Sequence, residues 1–473
     1  MHKPRVAFLP IARTTFDITF AQEKSNLARQ QLSQMPVTLE GQAELITDLQ
    51  SAQRIAESIA DNPPDMLLIF QATFADSTMI SALGERIDAP RLLWAVPEEH
   101  TGGRLRLNSF CGINLAAHAL TRAGHQYETI FAPPDDPLAL DKVLALALAG
   151  RARNALRNAR LGRVGENPDG FETCLLDPDL IHQVFGLQVV QFDLSKDIFP
   201  LARQVETSRI DDIQAHLGGK VTGLDELEPA ATRGTLSVYA ALQQIAVQGE
   251  INGFAVRCWP EFFVEMGCAA CGAMSMMSDE MIPCSCEADV NGTITQMMLQ
   301  SISGKPAFGT DIVSVDDERD AIVVWHCGLA PLSMADPQEM PGVTIHSNRR
   351  LPLLFEFTLK PGPVTVARLS ESSGEYRLVI GRGKIIPGPK SFSGTSGLLQ
   401  FKSPAKEVLD MILTAGLEHH ISITYGDYAD VLITFAKLLN IPVLQLTNQG
   451  GSIENFSHNL TDQTIPNPEG EQS

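Results

Sequence analysis

Three carboxylates and a histidine fall within residues 253–328, each directly behind an apolar run of strand type. GFAVRC (253–258) leads into Trp259-Pro260-Glu261-Phe262, and MIPCSC (281–286) leads into Glu287-Ala288-Asp289. AIVVW (321–325) leads into His326-Cys327-Gly328, and far downstream His419-His420 opens the run ISITYG. Carboxylate and imidazole together are the donor set of an oxygen-rich divalent-cation site of the Mn or Mg type. Each residue also has an ordinary use. Glu261 stands in the first turn of a helix opened by Pro260, where an acid serves the helix dipole. Glu265, one turn on, shares its face and is the runner-up to Glu261 as the acid/base of the site. Asp289 lies where a helix cap belongs, which accounts for one carboxylate but not for Glu287 as well. His326 could be a core histidine. Alternation along a strand sends His419 and His420 to opposite faces, so only one of them is expected to enter a given site.

The elements that must position these residues alternate in type. In residues 1–165, apolar runs at 6–12, 65–72, 91–96 and 127–133 read as buried strands. Amphipathic segments at 21–34, 46–61, 81–87, 113–124 and 137–160 read as helices between them. That order predicts a flavodoxin/Rossmann-like parallel sheet with helices on both faces. A second α/β unit is expected over 166–345, with a strand at 187–194, the three runs of the site, and helices at 232–250 and 292–304. From 346 to 473 the pattern changes. FEFTLKPGPVTVARLSE and GEYRLVIGRGKII alternate apolar and polar residues between Pro-Gly and Gly breaks, which reads as an antiparallel, barrel-like unit. The chain ends in a polar tail, 447–473, expected to be loose. The predicted fold is thus α/β: two doubly wound parallel-sheet domains followed by a β-barrel-like C-terminal domain. Carboxyl ends of parallel strands form the ligand crevice in such sheets, and that is where the carboxylates fall.

A chain of 473 residues with 44% apolar residues has material for several cores. Its formal charge of −20 argues against nucleic acid and anionic membrane surfaces as partners. No apolar run approaches the ~18 residues of a membrane span, and MHKPRVAFLPIAR lacks the pattern of a secretory signal, so a cytoplasmic protein is expected. There is no GxGxxG and no P-loop. Cys268-x-x-Cys271 followed by Cys284-x-Cys286 imitates a zinc ribbon, but the first pair lies in an apolar helix-type run and the second in a strand-type run. Small core residues in a reducing compartment are the expectation for them.

The stretch RCWPEF…CEADVNG…HCGLAP, with EHHISITYGD and KPGPVTVARLS downstream, resembles the L-fucose isomerase and L-arabinose isomerase superfamily, nearest its fucose-isomerase-like branch. The resemblance is strongest over 250–450 and is one of layout over the first 165 residues. It implies aldose–ketose isomerisation with Mn(2+), or Co(2+) or Mg(2+), through a cis-enediol, in a homotrimer or homohexamer. It places metal ligands on Glu261, Asp289 and His420, with Glu261 and Asp289 as the acid/base pair. Glu287 and His326 match further ligands of the arabinose isomerases, so both coordination patterns are present. RCWPEF stands in place of longer segments of the fucose isomerases. The resemblance also implies that a neighbouring subunit completes the site, here with Arg13, Gln71, Arg104, Arg106 and Asn108; Trp259 and His326 join them as expected sugar contacts. No phosphate cradle accompanies them, so a free sugar is expected: a neutral pentose or 6-deoxyhexose such as fucose or arabinose first, then an anionic hexose such as sulfoquinovose, which the arginines of PIARTT and TGGRLRLNS would suit. A metal-dependent lyase or epimerase, or a sugar-binding protein without activity, is the alternative.

Overall fold

The structure is a computed structural model that describes residues 2–372 and 374–446; the tail 447–473 lies outside these residues. Strands β1 (Arg5–Ile11), β2 (Thr38–Gly41), β3 (Met66–Gln71), β4 (Arg91–Ala95) and β5 (Glu128–Phe131) form a parallel sheet in the order β2-β1-β3-β4-β5. Their apolar runs are continuous because both faces are covered. The pleat sends Phe8, Leu68, Phe70 and Trp94 to one core, under helices Ile18–Ser33 and Pro137–Arg157. It sends Leu9, Ile11, Ile69 and Leu93 to the other, under Leu49–Ala60, Ser77–Arg86 and Ser109–Arg122. Asp48, Asp76 and Asp136 each cap a following helix by accepting a backbone N–H.

A second parallel sheet joins β6 (Arg160–Val164), β7 (Gln188–Phe192), β8 (Gly253–Val256) and β9 (Cys284–Ser285), ordered β7-β6-β8-β9. Its first strand corrects the expected helix over 137–160, which stops at Arg157. The arginine-rich RLGRV looks like a polar helix end. It is held extended by pairing on both edges, Leu161 with Val189 and with Gly253. The run MIPCSC contributes only two strand residues.

The third sheet closes. Strands β10 (Phe308–Asp316), β11 (Ala321–His326), β12 (Gly342–Thr344), β13 (Leu354–Thr358), β14 (Gly362–Ser372), β15 (Glu375–Ile386), β16 (Thr395–Phe401), β17 (His420–Tyr425) and β18 (Val443–Gln445) belong to it. Six of them, in the order β16-β11-β10-β17-β14-β15, return to β16 as an antiparallel barrel, while β12, β13 and β18 extend its rim. The run AIVVW, expected in the second α/β sheet, is therefore a barrel strand. A buried apolar run does not reveal its partner, and here the partners are β10 and β16.

One apolar core joins the second sheet to the barrel. Phe254, Val256, Phe262 and Met277 pack into the same cluster as Phe308, Val324, Phe355, Val366 and Ile423. Helix Val290–Ser303 is buried along nearly its whole length and touches β8, β14, β17 and helix Pro137–Arg157, so it fastens all three units together. Its buried polar groups are satisfied within that packing: Thr293 donates to the Phe254 carbonyl at 2.9 Å, and Tyr376 donates to Asn291 at 3.0 Å. The N-terminus of this helix marks the site. Among the described residues no helix is long and apolar enough to cross a membrane.

Candidate active site between the second sheet and the barrel

The loops behind the carboxyl ends of β6, β8 and β9 carry Phe171–Cys174, Trp259–Glu261 and Glu287–Asp289. The barrel faces them with Asp311, His326, Arg368 and Glu418–His420. Two units must meet for the site to exist, and their shared core makes them meet. The loop behind β9 is tightly wound: Glu287 and Ala288 both take left-handed backbone conformations, with φ of 59° and 54°. Residues other than glycine adopt these at a cost that functional loops often carry.

Asp289 is the hub. Its Oδ1 accepts the Gly292 N–H at 2.8 Å, the helix cap anticipated from sequence. Its Oδ2 accepts from Arg368 Nη1 at 2.5 Å and lies 3.0 Å from His420 Nδ1. Burial by itself would raise its proton affinity; the Arg368 guanidinium and His420 outweigh burial and hold the carboxyl well below the usual carboxylate range. The other face of His420 is turned to two further acids. Its Nε2 lies 3.3 Å from Asp311 Oδ1 and 3.8 Å from Glu287 Oε2. Asp311 sits directly opposite His420 in the β10–β17 pairing, and this register delivers it. His326 ends β11, accepts the Cys327 N–H at Nδ1, and joins Asp311 and His420 in one close group.

His419 departs from the expectation that only one of the two histidines enters. It precedes β17, so strand alternation does not govern it. Its Nε2 lies 3.1 Å from Glu287 Oε2, its Nδ1 3.0 Å from Thr173 Oγ1, and its ring 4.0 Å from that of His420. The hydrogen bond with Glu287 raises the pKa of His419 against the opposing effect of burial. Burial would raise Glu287, but His419 and its neighbouring histidines hold it low.

The other predicted residues are placed as follows. Glu261 is outside these groups of potential ligands; both its oxygens accept from Arg257 Nε, at 2.9 and 3.0 Å. Glu265 accepts from Ser195 Oγ at 3.4 Å on the protein surface. Trp259 stands edge-on to Phe171, which stands edge-on to His419, so an aromatic chain runs from the Glu261 loop to the cluster. Arg13, Gln71, Arg104, Arg106 and Asn108 gather around the carboxyl ends of β1, β3 and β4 in the N-terminal unit. Gln71 is buried and donates to the Thr73 carbonyl, Arg106 pairs with Asp17 at 2.9 Å, and the Asn108 N–H donates to Glu98. Their hydrogen bonds among the described residues stay within that unit.

The cluster suits a divalent cation. Asp289, Glu287, Asp311, His326 and His420 are oxygen and imidazole donors in close groups, and Asp311 Oδ1 is a buried carboxylate oxygen without a hydrogen bond. Cys174 also adjoins Asp289 and His420, but burial and the neighbouring Asp289 and Glu287 push its thiol far up, so it remains protonated. The ribbon-like cysteines do not converge: Cys258 lies against Cys286 and Cys271 against Cys327, all as free thiols. Sequence reasoning missed Asp311, Arg368, Thr173 and Glu418. Only Arg368 left a signal, a charged residue inside the strand run TVARLS.

Comparison with known proteins agrees along the chain. The fucose/sulfoquinovose isomerase N-terminal domain profile matches residues 7–142, and the L-fucose isomerase C-terminal domain profile matches 355–447. A protein named sulfoquinovose isomerase from Alkalicoccus urumqiensis is 30% identical over 443 residues, covering 93% of this chain and 99% of that one. Proteins of the same name from Priestia megaterium and a Clostridium species are 29% and 30% identical over 444 and 447 residues, with the same coverage.

Proposed function

Since this chain belongs to the fucose/sulfoquinovose isomerase family, it is a sugar aldose–ketose isomerase, and we propose that it interconverts sulfoquinovose with its 2-ketose, using a divalent cation held by Asp289, His420, Glu287 and Asp311. The observation that carries the cation is the buried carboxylate–imidazole cluster with the unbonded Asp311 oxygen. His326 and Glu261 are the further candidate ligands, and Mn(2+) is the first choice of metal, before Co(2+) and Mg(2+). The names of relatives that cover 93% of the chain support the sulfonated sugar over the neutral fucose or arabinose placed first from sequence.

Bound cation supplies Lewis acidity, polarising a carbonyl and acidifying the adjacent hydroxyl and C–H. The residues supply the rest. Asp289 is locked as an anion by Arg368, with both oxygens engaged, which suits holding charge in place. The bond from His420 Nδ1 to Asp289 fixes that ring and turns Nε2 toward Asp311 and Glu287. Glu261, outside the cluster and oriented by Arg257, is the carboxylate assigned to carry a proton from C2 to C1 through a cis-enediol. Trp259, Phe171 and His419 form the aromatic chain that leads from the Glu261 loop to the cluster. Proton NMR in deuterium oxide with Mn(2+) and sulfoquinovose should show ketose formation, with label entering beside the carbonyl. Glu261→Gln should lower kcat by about 10²–10⁴-fold. Wild-type protein that forms no ketose from sulfoquinovose under these conditions defeats the substrate reading.

Assembly belongs to the same proposal. The N-terminal unit exposes Phe110 and Phe131, 5.0 Å apart, with Leu105 and Leu138 also exposed. Leu105 lies within the loop of Arg104, Arg106 and Asn108, and Phe110 follows it. An apolar patch beside these polar loops fits a contact in which they complete a neighbour's site in a closed trimer or hexamer. Light scattering should give a multiple of three chains, and Phe110→Asp should dissociate it with loss of turnover. A fully active monomer would contradict this.

A further inference from the structure

The loop between β12 and β13, residues 345–353, has no place in the reading so far, yet it packs on the aromatic residues of the segment behind β8. The Arg349 guanidinium lies over the Trp259 ring, 4.7 Å from its centre, and 5.3 Å from that of Phe263. Trp259 leads through Phe171 to His419, as described above. In the same loop His346 stands edge-on to Phe263 at 5.3 Å. Burial, then Arg349 and His326, lower the His346 pKa to about 4. It is therefore a neutral acceptor near pH 7, and its Nδ1 takes the N–H groups of Asn348 and Arg349, each at 3.3 Å. The loop is thus built to hold Arg349 in place.

Three other arginines at this seam are committed, and Arg350, beside Arg349 in the loop, is exposed rather than held against rings. Arg368 is buried on Asp289 and Glu418; Arg257 serves Glu261 and two carbonyls of the β6 loop; Arg163 donates to Asn167. The side chain of Arg349 makes no hydrogen bond and no ion pair among the described residues, and two aromatic faces hold it half-buried. A guanidinium stacked on rings keeps its planar fork of donors free at the edge, the arrangement that binds a three-oxygen anion. The protein's charge of −20 would otherwise repel an anionic sugar, so a local cation at the mouth is needed.

We propose that Arg349, stacked on Trp259, binds the anionic group at the end of the sugar opposite the carbonyl and sets the preference for sulfonated over neutral aldoses. The inference rests on the substrate reading above. It adds the residue that recognises the sulfonate. Its test measures kcat/KM for sulfoquinovose and for glucose with wild type, Arg349→Met, Arg349→Lys and Arg104→Met/Arg106→Met, all as intact chains with melting curves. Arg349→Met should cut the sulfoquinovose-to-glucose ratio by about 10- to 100-fold, mostly through KM, the size of a lost charge-assisted hydrogen-bond pair. Arg349→Lys should restore part of it, and the competitive inhibition of wild type by 2-hydroxyethanesulfonate should weaken in Arg349→Met. An unchanged ratio, an equal loss for both sugars, or a ratio that collapses in the Arg104/Arg106 variant and not in Arg349→Met overturns the assignment. A wild type inactive on sulfoquinovose overturns the substrate reading itself, a result distinct from an active wild type whose selectivity survives the loss of Arg349.

Discussion

Asp289→Asn is expected to lower kcat/KM by at least about 10²–10³-fold and to strip most of the bound cation. Asparagine still caps helix Val290–Ser303, because its side-chain oxygen can accept the Gly292 N–H, so the helix itself should remain. What disappears is the charge between Arg368 and His420. Arg368 is 1% exposed and would keep Glu418, 3.7 Å away, as its nearby counter-charge. Calorimetry should therefore show a lower Tm as well as lost activity. The acid limb carries a second signature. A carboxyl whose folded pKa lies below its ordinary value of about 3.9 contributes stability above that value and loses it as pH falls further. Wild type should thus lose stability below pH ~4 more steeply than Asp289→Asn in urea titrations of the metal-free proteins. Parallel acid limbs, or full metal content by elemental analysis, would show that Asp289 is not the hub.

Arg368→Met should be the most destabilising single change at the site. Its guanidinium reaches Asp289 through Nη1, Glu418 through Nε and the Thr173 carbonyl through Nη2, so one side chain ties β14 to the loops behind β6 and β9. Removing it leaves two buried carboxylates without their counter-charge, a loss of about 3–5 kcal/mol. Lysine should not rescue it, because a single ammonium cannot reach three partners in the geometry of the fork. Glu418→Gln in the Arg368→Met background should recover part of the loss by removing one of the stranded charges. Asp289 would also regain proton affinity, so the acid limb of any remaining activity should move to higher pH. A melting temperature equal to wild type in Arg368→Met would mean that this ion pair does not hold the seam.

Much of this was legible in the sequence. Apolar runs and turn residues are local signals, and they located the helices and strands of the first sheet and the alternating strands of the barrel. Asp289 and His420 stood out because each adjoins an element boundary, where a polar residue next to a buried run calls for an explanation. Motif likeness supplied the chemistry. Other features depended on partners distant in sequence. RLGRV became β6 only through β7 and β8, and AIVVW joined the barrel rather than the sheet before it. Asp311 is one acid among many until the β10–β17 register sets it opposite His420. Strand alternation admitted only one of His419 and His420 until the structure showed the strand beginning at His420. The sequence by itself determined which residues could bind metal and move protons, because side-chain type and local pattern are written along the chain. Only the tertiary structure decided which of them share one buried volume: Arg368 clamped on Asp289, Asp311 beside His420, Glu261 held by Arg257. Burial, charge pairing and cross-strand register are properties of residues brought together from remote positions, and no local pattern encodes them.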